Sequence, residues 1–224
     1  MSRTIAFDVY GTLVDPAEMG AHLETMLGDK ARAFGQLWHD KKVEYAFRRG
    51  LMQQYEDFGV CTRQALRFCL QHFGLELTED AQQDLMGEFS NLAAFPDVIP
   101  GLTELKARGH QLVAFSNGPE EAVRTLMSKA GVLPQLDDVI SVDDIQTFKP
   151  SPLVYQYLMK RTGSTTDSCW MVSSNPWDVI GAKSAGLKTA WIHREPGKIF
   201  DPWGIEPDVV VRDLVGLSSS RFSC

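Results

Sequence analysis

The sequence predicts an α/β protein built on a doubly wound parallel sheet, with a helical insertion directly after the first strand. Three observations indicate this class. A short apolar run begins near Thr4 and ends at Asp8, as a buried strand would. Residues 16–92 then show helical periodicity throughout. From Phe95 onward, apolar runs alternate with helical patterns of about ten residues, which is typical of crossover units joining parallel strands.

These patterns predict two units, an α/β core formed by residues 1–14 and 94–224 and a helical cap formed by residues 15–93. A length of 224 residues is enough for one well-buried core and a smaller subdomain. The hydrophobic content of 44% and charged content of 23% are those of an ordinary folded protein. A net charge of -7 argues against binding to nucleic acid or to an anionic membrane, since both need clustered positive charge.

The sequence also predicts a cytoplasmic location. Its N-terminus lacks the basic and apolar segments of a signal peptide, and no stretch approaches about 18 apolar residues. The cysteines show no Cys-x-x-Cys spacing, which argues against a zinc site or a redox motif. We therefore expect reduced, mostly buried thiols at the four positions, Cys61, Cys69, Cys169 and Cys224.

In the cap, apolar residues recur at helical spacing over residues 33–51 and 65–73, and Thr62 is a candidate cap for the second helix. A third helix is expected to begin near Thr78. In the core, the predicted strands after the first are residues 111–115, 139–142, 169–172, 189–192 and 208–211. The predicted core helices are residues 102–108, 120–130, 153–162 and 178–185. The polar tail from Ser218 is expected to be frayed.

Asp8 is the first candidate functional residue, because it ends the opening strand and is followed by Tyr10 and Gly11. In open α/β sheets, ligands bind beyond the carboxyl ends of the strands. Gly11 permits a tight turn there, and Thr12 adds a hydroxyl within reach of the carboxylate. The alternative is that Asp8 is an ordinary turn or capping residue.

Further polar clusters follow the later strand candidates, so a parallel sheet would bring them to one edge with Asp8. Singly, each residue has another explanation, as a helix cap, a turn residue or a solvated charge. Those alternatives do not explain why all of them fall at the carboxyl ends of strands. The clustered residues are Ser116, Asn117, Lys149, Ser173, Asn175 and Asp178.

In their order, these residues resemble the four motifs of the haloacid dehalogenase superfamily, which supply Asp, Ser, Lys and Asp in turn. The run Asp-Val-Tyr-Gly-Thr-Leu from Asp8 resembles the first motif, and Ser-Ser-Asn-Pro-Trp-Asp from Ser173 resembles the fourth motif of the L-2-haloacid dehalogenases. The likeness to that family covers nearly the whole chain, cap included. It implies the Rossmann-like haloacid dehalogenase fold and, as is common in the family, a homodimer formed through cap helices.

The resemblance implies hydrolysis of short L-2-haloalkanoic acids to D-2-hydroxy acids and halide. Asp8 would displace the halogen and form an ester, which water then hydrolyses. Lys149 would balance the charge of Asp8, with Thr12, Ser173, Asn175 and Asp178 completing the catalytic set. The residues implied in substrate binding are Tyr10, His39, Phe58, Ser116, Asn117, Tyr155 and Trp177.

No cofactor or metal is expected, because a halide leaves as a stable anion. The superfamily's phosphatases carry a second Asp two residues after the nucleophile, where this chain has Tyr10. With Asn175 also replacing a carboxylate of those enzymes, too few acidic groups remain for an octahedral magnesium site. The expected partners are a 2-halocarboxylate and water. A phosphatase activity and a non-catalytic role on a retained fold are the less favoured alternatives.

One departure concerns the family's halide-binding Arg, which is replaced here by His39. A neutral imidazole is a weaker anion receiver than a guanidinium. Nearby carboxylates, including Asp40, are expected to favour a protonated His39. The alternatives are an ordinary exposed histidine or a different leaving group, such as the ring nitrogen of azetidine-2-carboxylate, for which His39 would be the proton donor.

Overall fold

The protein was analysed as a computed structural model, which describes residues 2–219. Six strands form one sheet in the order β3-β2-β1-β4-β5-β6, and every pair of neighbours is parallel. This order is doubly wound, because the chain builds outward from β1 in one direction and then crosses back to build in the other. The predicted fold class is therefore confirmed. The strands are β1 (Thr4–Phe7), β2 (Gln111–Ser116), β3 (Asp138–Ser141), β4 (Cys169–Ser173), β5 (Lys188–Ile192) and β6 (Val209–Val211).

Nine α-helices lie within residues 2–219, and the first four form the segment inserted after β1. In the inserted segment these are α1 (Ala17–Leu27), α2 (Ala31–Met52), α3 (Phe58–Phe73) and α4 (Glu79–Gly87). The others are α5 (Val98–Ala107), α6 (Glu120–Lys129), α7 (Pro152–Thr162), α8 (Pro176–Ser184) and α9 (Leu214–Ser219). No helix of this part of the chain is both long and apolar enough to span a bilayer.

The core occupies both faces of the sheet, because the central strands are apolar on both sides. Alternate residues of β1 point to opposite faces, so Ile5 and Phe7 pack in one buried cluster and Ala6 in the other. Leu102 of α5 shares the first cluster, and Leu158 of α7 shares the second. The sheet is thus held between two helical layers, with its carboxyl edge free to form a site.

The helical segment leaves and rejoins the core at neighbouring points. Asp15 N donates to Ala93 O at 2.9 Å, and Phe95 N donates to Leu13 O at 3.1 Å. The chain therefore returns to within hydrogen-bonding distance of its own departure point. This pairing lies close to the predicted limits of the cap, residues 15 and 93.

Two predictions about helix ends are wrong. The cap of α3 is Asp57, whose Oδ1 accepts from Val60 N at 3.0 Å, whereas the Thr62 hydroxyl lies inside the helix and donates to Phe58 O. The apolar periodicity begins after the helix does, since Phe58 and Gly59 of the first turn line a cavity. Ser218 is also buried in α9 rather than frayed, and its hydroxyl donates to Glu104, while residues 220–224 of the predicted tail lie outside the described residues. Thr78, as predicted, caps α4.

The thiols of Cys61, Cys69 and Cys169 are free and buried, as expected, while Cys224 lies outside the described residues. An apolar face of α2 that carries Phe47, Leu51 and Met52 is a candidate for the contact of a homodimer, and it is only partly exposed. Leu51 and Met52 are exposed at the end of α2, but Phe47 packs edge-on against Trp177 with ring centroids 5.4 Å apart. A homodimer stays a prediction.

We expect Gly101→Ala to destabilise the protein by about 1–3 kcal/mol, because the new methyl would meet side-chain and backbone atoms of Leu214 at 2.6–2.9 Å. Gly20→Ala is the matched control, since nothing lies within 4 Å of its added methyl and helix propensity favours Ala by up to about 1 kcal/mol. Urea denaturation measures both. Equal effects of the two substitutions would contradict the packing of α5 against α9.

Candidate active site

Asp8 lies at the switch point of the sheet, between the two strands that flank β1. Phe7 is in register with Ala114 of β2 and with Val172 of β4, so Asp8 is level with Ser173. The crevice at such a point collects loops from both halves of a doubly wound sheet. The side chain of Asp8 is almost completely buried, and it lines a small cavity.

The two oxygens of Asp8 have different surroundings. Oδ2 accepts hydrogen bonds from Thr12 Oγ1 at 3.1 Å, Ser173 Oγ at 3.2 Å and Asn175 Nδ2 at 2.8 Å. Oδ1 has Lys149 Nζ at 3.3 Å as its partner. Three donors occupy the lone-pair directions of Oδ2, so Oδ1 is the oxygen that keeps a lone pair free for a ligand.

Thr12 reaches Asp8 because the loop after β1 folds back on itself. Gly11 adopts a positive φ of 77°, which a residue with a side chain rarely does, and its N donates to Val14 O. Arg194 holds the loop from outside. Its guanidinium donates to Thr12 O at 2.7 and 3.0 Å and also pairs with Asp97. Arg194 was not foreseen from the sequence, since it lies after β5 with no motif around it.

Lys149 is fully buried, and three acceptors surround its ammonium. Nζ donates to Phe115 O at 2.7 Å, to Asp178 Oδ2 at 3.0 Å and to Asp8 Oδ1 at 3.3 Å. The predicted meeting of Asp8, Lys149 and Asp178 is therefore present. A buried carboxylate is costly without a partner, and one ammonium here serves two of them.

Asp178 lies on the far side of Lys149 from Asp8 and does not line the cavity. Burial raises the pKa of Asp178 and the charge of Asp8 adds to the increase, whereas Lys149 and the Tyr155 hydroxyl oppose it. The Tyr155 hydroxyl donates to Asp178 Oδ1 at 2.8 Å. Tyr155 is fully buried on α7 and does not line the cavity, so its assignment to substrate binding stays a prediction. It supports Asp178.

Ser116 and Asn117 form the adjoining part of the cavity floor. Ser116 Oγ accepts from Gly118 N at 3.1 Å, which is the local turn contact considered above, and its hydroxyl hydrogen stays available to a ligand. Asn117 Oδ1 accepts from Lys149 N at 2.9 Å, which leaves its amide group as a donor. Both residues therefore stabilise the loops and also present donors to the cavity.

The cavity holds about 40 Å³, whereas one water needs roughly 10–15 Å³. It is thus suited to a molecule of a few heavy atoms. Its walls come from both units of the protein. The lining residues are Asp8, Tyr10, Ser116, Asn117, Asn175 and Trp177 from the core, and His39, Lys42, Val43 and Phe58 from the inserted helices.

A charged His39 is contradicted. The pKa of His39 is lowered, first because protein replaces solvent around much of the ring and then because Lys42 and Lys198 carry positive charge. His39 is exposed as a whole residue, and a histidine whose pKa is not above its ordinary value is mostly neutral at pH 7. Asp40 does not act on His39 as predicted, since it is exposed and accepts from Gln36 at 3.0 Å. His39 is neutral at pH 7.

Lys42 is the cavity residue that sequence reasoning missed. It follows His39 by three positions on α2, so the two side chains share a helix face, and that spacing could have revealed it. Burial lowers the pKa of Lys42 to about 8. The cation on the cap side of this cavity is therefore Lys42.

Within residues 2–219, no cluster of three or more His, Cys, Asp or Glu side chains is arranged to hold a metal ion. Tyr10, where the superfamily's phosphatases carry their second Asp, has its pKa raised to about 12 by burial and by the charge of Asp8. It therefore contributes a neutral wall to the cavity at pH 7.

Comparison with known proteins agrees with this geometry. Residues 2–186 match the model of the haloacid dehalogenase-like hydrolases. The (S)-2-haloacid dehalogenase of Pseudomonas sp. (strain YL) is 37% identical over 95% of this chain and 91% of its own. The chain belongs to the haloacid dehalogenase-like hydrolases. Within that family, its similarity is to the L-2-haloacid dehalogenases.

Solved structures extend the likeness to the whole fold. One L-2-haloacid dehalogenase superposes with a TM-score of 0.94 at 31% identity, covering 99% of this chain and 98% of its own. The enzyme from Xanthobacter autotrophicus, solved with chloropropionic acid covalently bound, gives a TM-score of 0.89 at 31% identity over 97% of both chains. The structural similarity therefore extends over the inserted helices.

We expect Lys149→Met to destabilise the protein by about 3–5 kcal/mol at pH 7, because it leaves Asp8 and Asp178 buried without a cation. The loss of stability should be smaller at pH 5 than at pH 7. A buried carboxyl with a raised pKa takes up a proton more readily in the folded state than in the unfolded state. Denaturation at pH 7 and pH 5 measures this. Lys41→Met, which breaks a surface pair with Glu44, is the control and should cost at most about 1 kcal/mol.

Proposed function

We propose that this protein hydrolyses short L-2-haloalkanoic acids to D-2-hydroxy acids and halide through an ester on Asp8. The observation that carries the proposal is the arrangement of Asp8, which lines a small cavity and has three donors on Oδ2, so that Oδ1 keeps a lone pair free. The related enzyme solved with covalently bound chloropropionic acid supports a covalent intermediate.

In the first step, Asp8 Oδ1 attacks C2 of the substrate, and the carbon–halogen bond breaks on the opposite side. Inversion at C2 follows from this in-line geometry. A partly desolvated carboxylate is the stronger nucleophile, and Tyr10, Phe58 and Trp177 restrict water in the cavity. Lys149 stays beside Oδ1 and keeps the carboxylate ionised until the attack.

In the second step, water attacks the carboxyl carbon of Asp8. The three donors on Oδ2, from Thr12, Ser173 and Asn175, are placed to stabilise the negative charge that develops there. Asp178 does not reach the cavity, so we assign it the role of holding the ammonium of Lys149 beside Asp8. One proton of the water passes to the alkoxide as the hydroxy acid leaves, and the other is lost to solvent from the regenerated carboxyl of Asp8.

We propose that Ser116 and Asn117 donate hydrogen bonds to the substrate carboxylate and to the neighbouring part of the halogen site. Both present hydrogen-bond donors to the cavity. The ammonium of Lys149 already has three acceptors, so it would assist the substrate carboxylate by its charge rather than by a further hydrogen bond. The small cavity favours acids of two or three carbons.

No observation favours the alternative of azetidine-2-carboxylate ring opening. That reaction needs a proton for the leaving amine, and a histidine with a lowered pKa is a poor proton donor at pH 7. A phosphatase reaction is likewise unsupported, since Tyr10 occupies the position of the general acid. Both stay untested.

We expect the protein to release chloride from L-2-chloropropionate and from chloroacetate without added metal, and Asp8→Asn to lower the rate by several orders of magnitude. The measurement is halide release followed with an ion-selective electrode. Asp167→Asn, an exposed carboxylate far from the site, is the matched control and should leave the rate unchanged. A folded protein that releases no halide would contradict the proposal.

Isotopic labelling tests the ester directly. In a single turnover in heavy-oxygen water, the label should enter Asp8 and be almost absent from the product, because the product oxygen comes from the carboxylate. Mass spectrometry of the peptide containing Asp8 and of the hydroxy acid gives both quantities. Full labelling of the product in one turnover would show that water attacks C2 directly.

A further inference from the structure

The side of the cavity to which a leaving group departs is fixed by Asp8. In an in-line displacement, the leaving group lies opposite the attacking oxygen. Asp8 attacks from the end of β1, so the halogen of a bound substrate faces the wall formed by α2 and α3. The residues of α2 and α3 that line the cavity are His39, Lys42, Val43 and Phe58.

Among these four residues, one carries a charge at neutral pH. Val43 and Phe58 are apolar, and His39 is neutral because its pKa is lowered. Lys149 lies on the opposite side of the cavity and is occupied by three acceptors. The cation on the halogen side is therefore Lys42.

The ammonium of Lys42 has no counter-ion in the described part of the chain. Its one recorded contact over residues 2–219 is with the face of Phe89, whose ring centroid lies 4.6 Å from Nζ. The neighbouring Lys41 differs, because it forms an ion pair with Glu44 at 2.7 Å. A partly buried ammonium held by an aromatic ring, with no carboxylate beside it, is suited to bind an anion.

The charges of the site also require a second cation. Asp8, Asp178 and Lys149 together carry a net charge of −1 when all are ionised. A substrate carboxylate adds another negative charge, and the reaction moves the charge of Asp8 onto the halogen. Without a cation on that side, the halide would form next to apolar groups and a neutral imidazole.

We propose that Lys42 is the catalytic residue that receives the departing halide, a role that rests on the proposed function. As the bond between Asp8 Oδ1 and C2 forms, the carbon–halogen bond breaks and its electron pair goes to the halogen. The ammonium of Lys42 stabilises the developing anion and then holds the free halide. No proton is transferred, and Lys42 is unchanged at the end of the step.

This role makes the reaction sensitive to pH. Because the pKa of Lys42 is lowered to about 8, its charge is present below that pH and is lost above it. The pKa of Tyr10 is raised to about 12 and that of His39 is lowered, so neither changes charge near pH 8. The titratable and charged residues that share cavities with Lys42 are Asp8, Tyr10, Glu24, Arg32, His39, Asp40, Glu195, Lys198 and Asp201.

Turnover of L-2-chloropropionate by Lys42→Met tests the role. We expect kcat to fall roughly 10²-fold with a smaller change in KM, by analogy with the loss of one group that stabilises transition-state charge. Lys42→Arg should keep most of the rate and retain it to higher pH. Lys41→Met is the matched control on the same helix and should leave kcat unchanged.

The dependence on the leaving group separates this role from a merely structural one. Chloride is a poorer leaving group than iodide, so Lys42→Met should slow 2-chloropropionate more than 2-iodopropionate. An equal loss for both halides, or a rise in KM with kcat unchanged, would overturn the proposal, because Lys42 would then support the fold or hold the substrate carboxylate.

Chloride binding without substrate distinguishes this proposal from the function on which it rests. Chloride added to the folded wild-type protein should broaden the chloride NMR line, and Lys42→Met and Lys42→Gln should abolish most of the broadening. Absence of turnover in the wild-type protein would refute the dehalogenase function. Equal broadening in wild-type protein and both variants would refute the role of Lys42, whatever the turnover.

Discussion

The structure of the site depends on one buried ammonium placed between two buried carboxylates. Lys149 contacts Asp8 and Asp178 at 3.3 and 3.0 Å, and its third hydrogen bond anchors it to the backbone of β2. Each carboxylate alone would be too costly to keep ionised in this interior. The lysine therefore joins strand ends from both halves of the sheet into one charged unit. Thr12, Ser173 and Asn175 then fix the orientation of Asp8 within it.

The floor of the site could be predicted from the sequence because strand order and strand ends determine it. Once the sheet is parallel, residues such as Ser116 and Ser173, which lie at the carboxyl ends of their strands, must meet near Asp8. The same argument could not place Tyr155. Its direction depends on how α7 packs against the sheet, and that packing turns the hydroxyl toward Asp178 rather than toward the cavity.

The wall opposite the floor was predicted less well, because charge there depends on contacts between distant segments. The resemblance drew attention to His39, but its pKa is lowered first by burial and then by the charges of Lys42, one turn along the helix, and Lys198, from the loop after β5. A helix pattern shows which residues share a face without showing which of them is desolvated. Lys42 is thus a candidate for anion binding because of the packing of α2 over the core, and no motif marks it.

The close return of the chain at residues 13–15 and 93–95 has a consequence for how such enzymes diversify. Because both connections of the helical segment leave the sheet side by side, substitutions or length changes in that segment need not disturb the strand order beneath it. Asp8 and its charge partners belong to the core, while the remaining cavity residues, His39, Lys42, Val43 and Phe58, belong to the inserted helices. Cavity residues of α2 and α3 can therefore change while the charged groups at the carboxyl edge of the sheet stay in place.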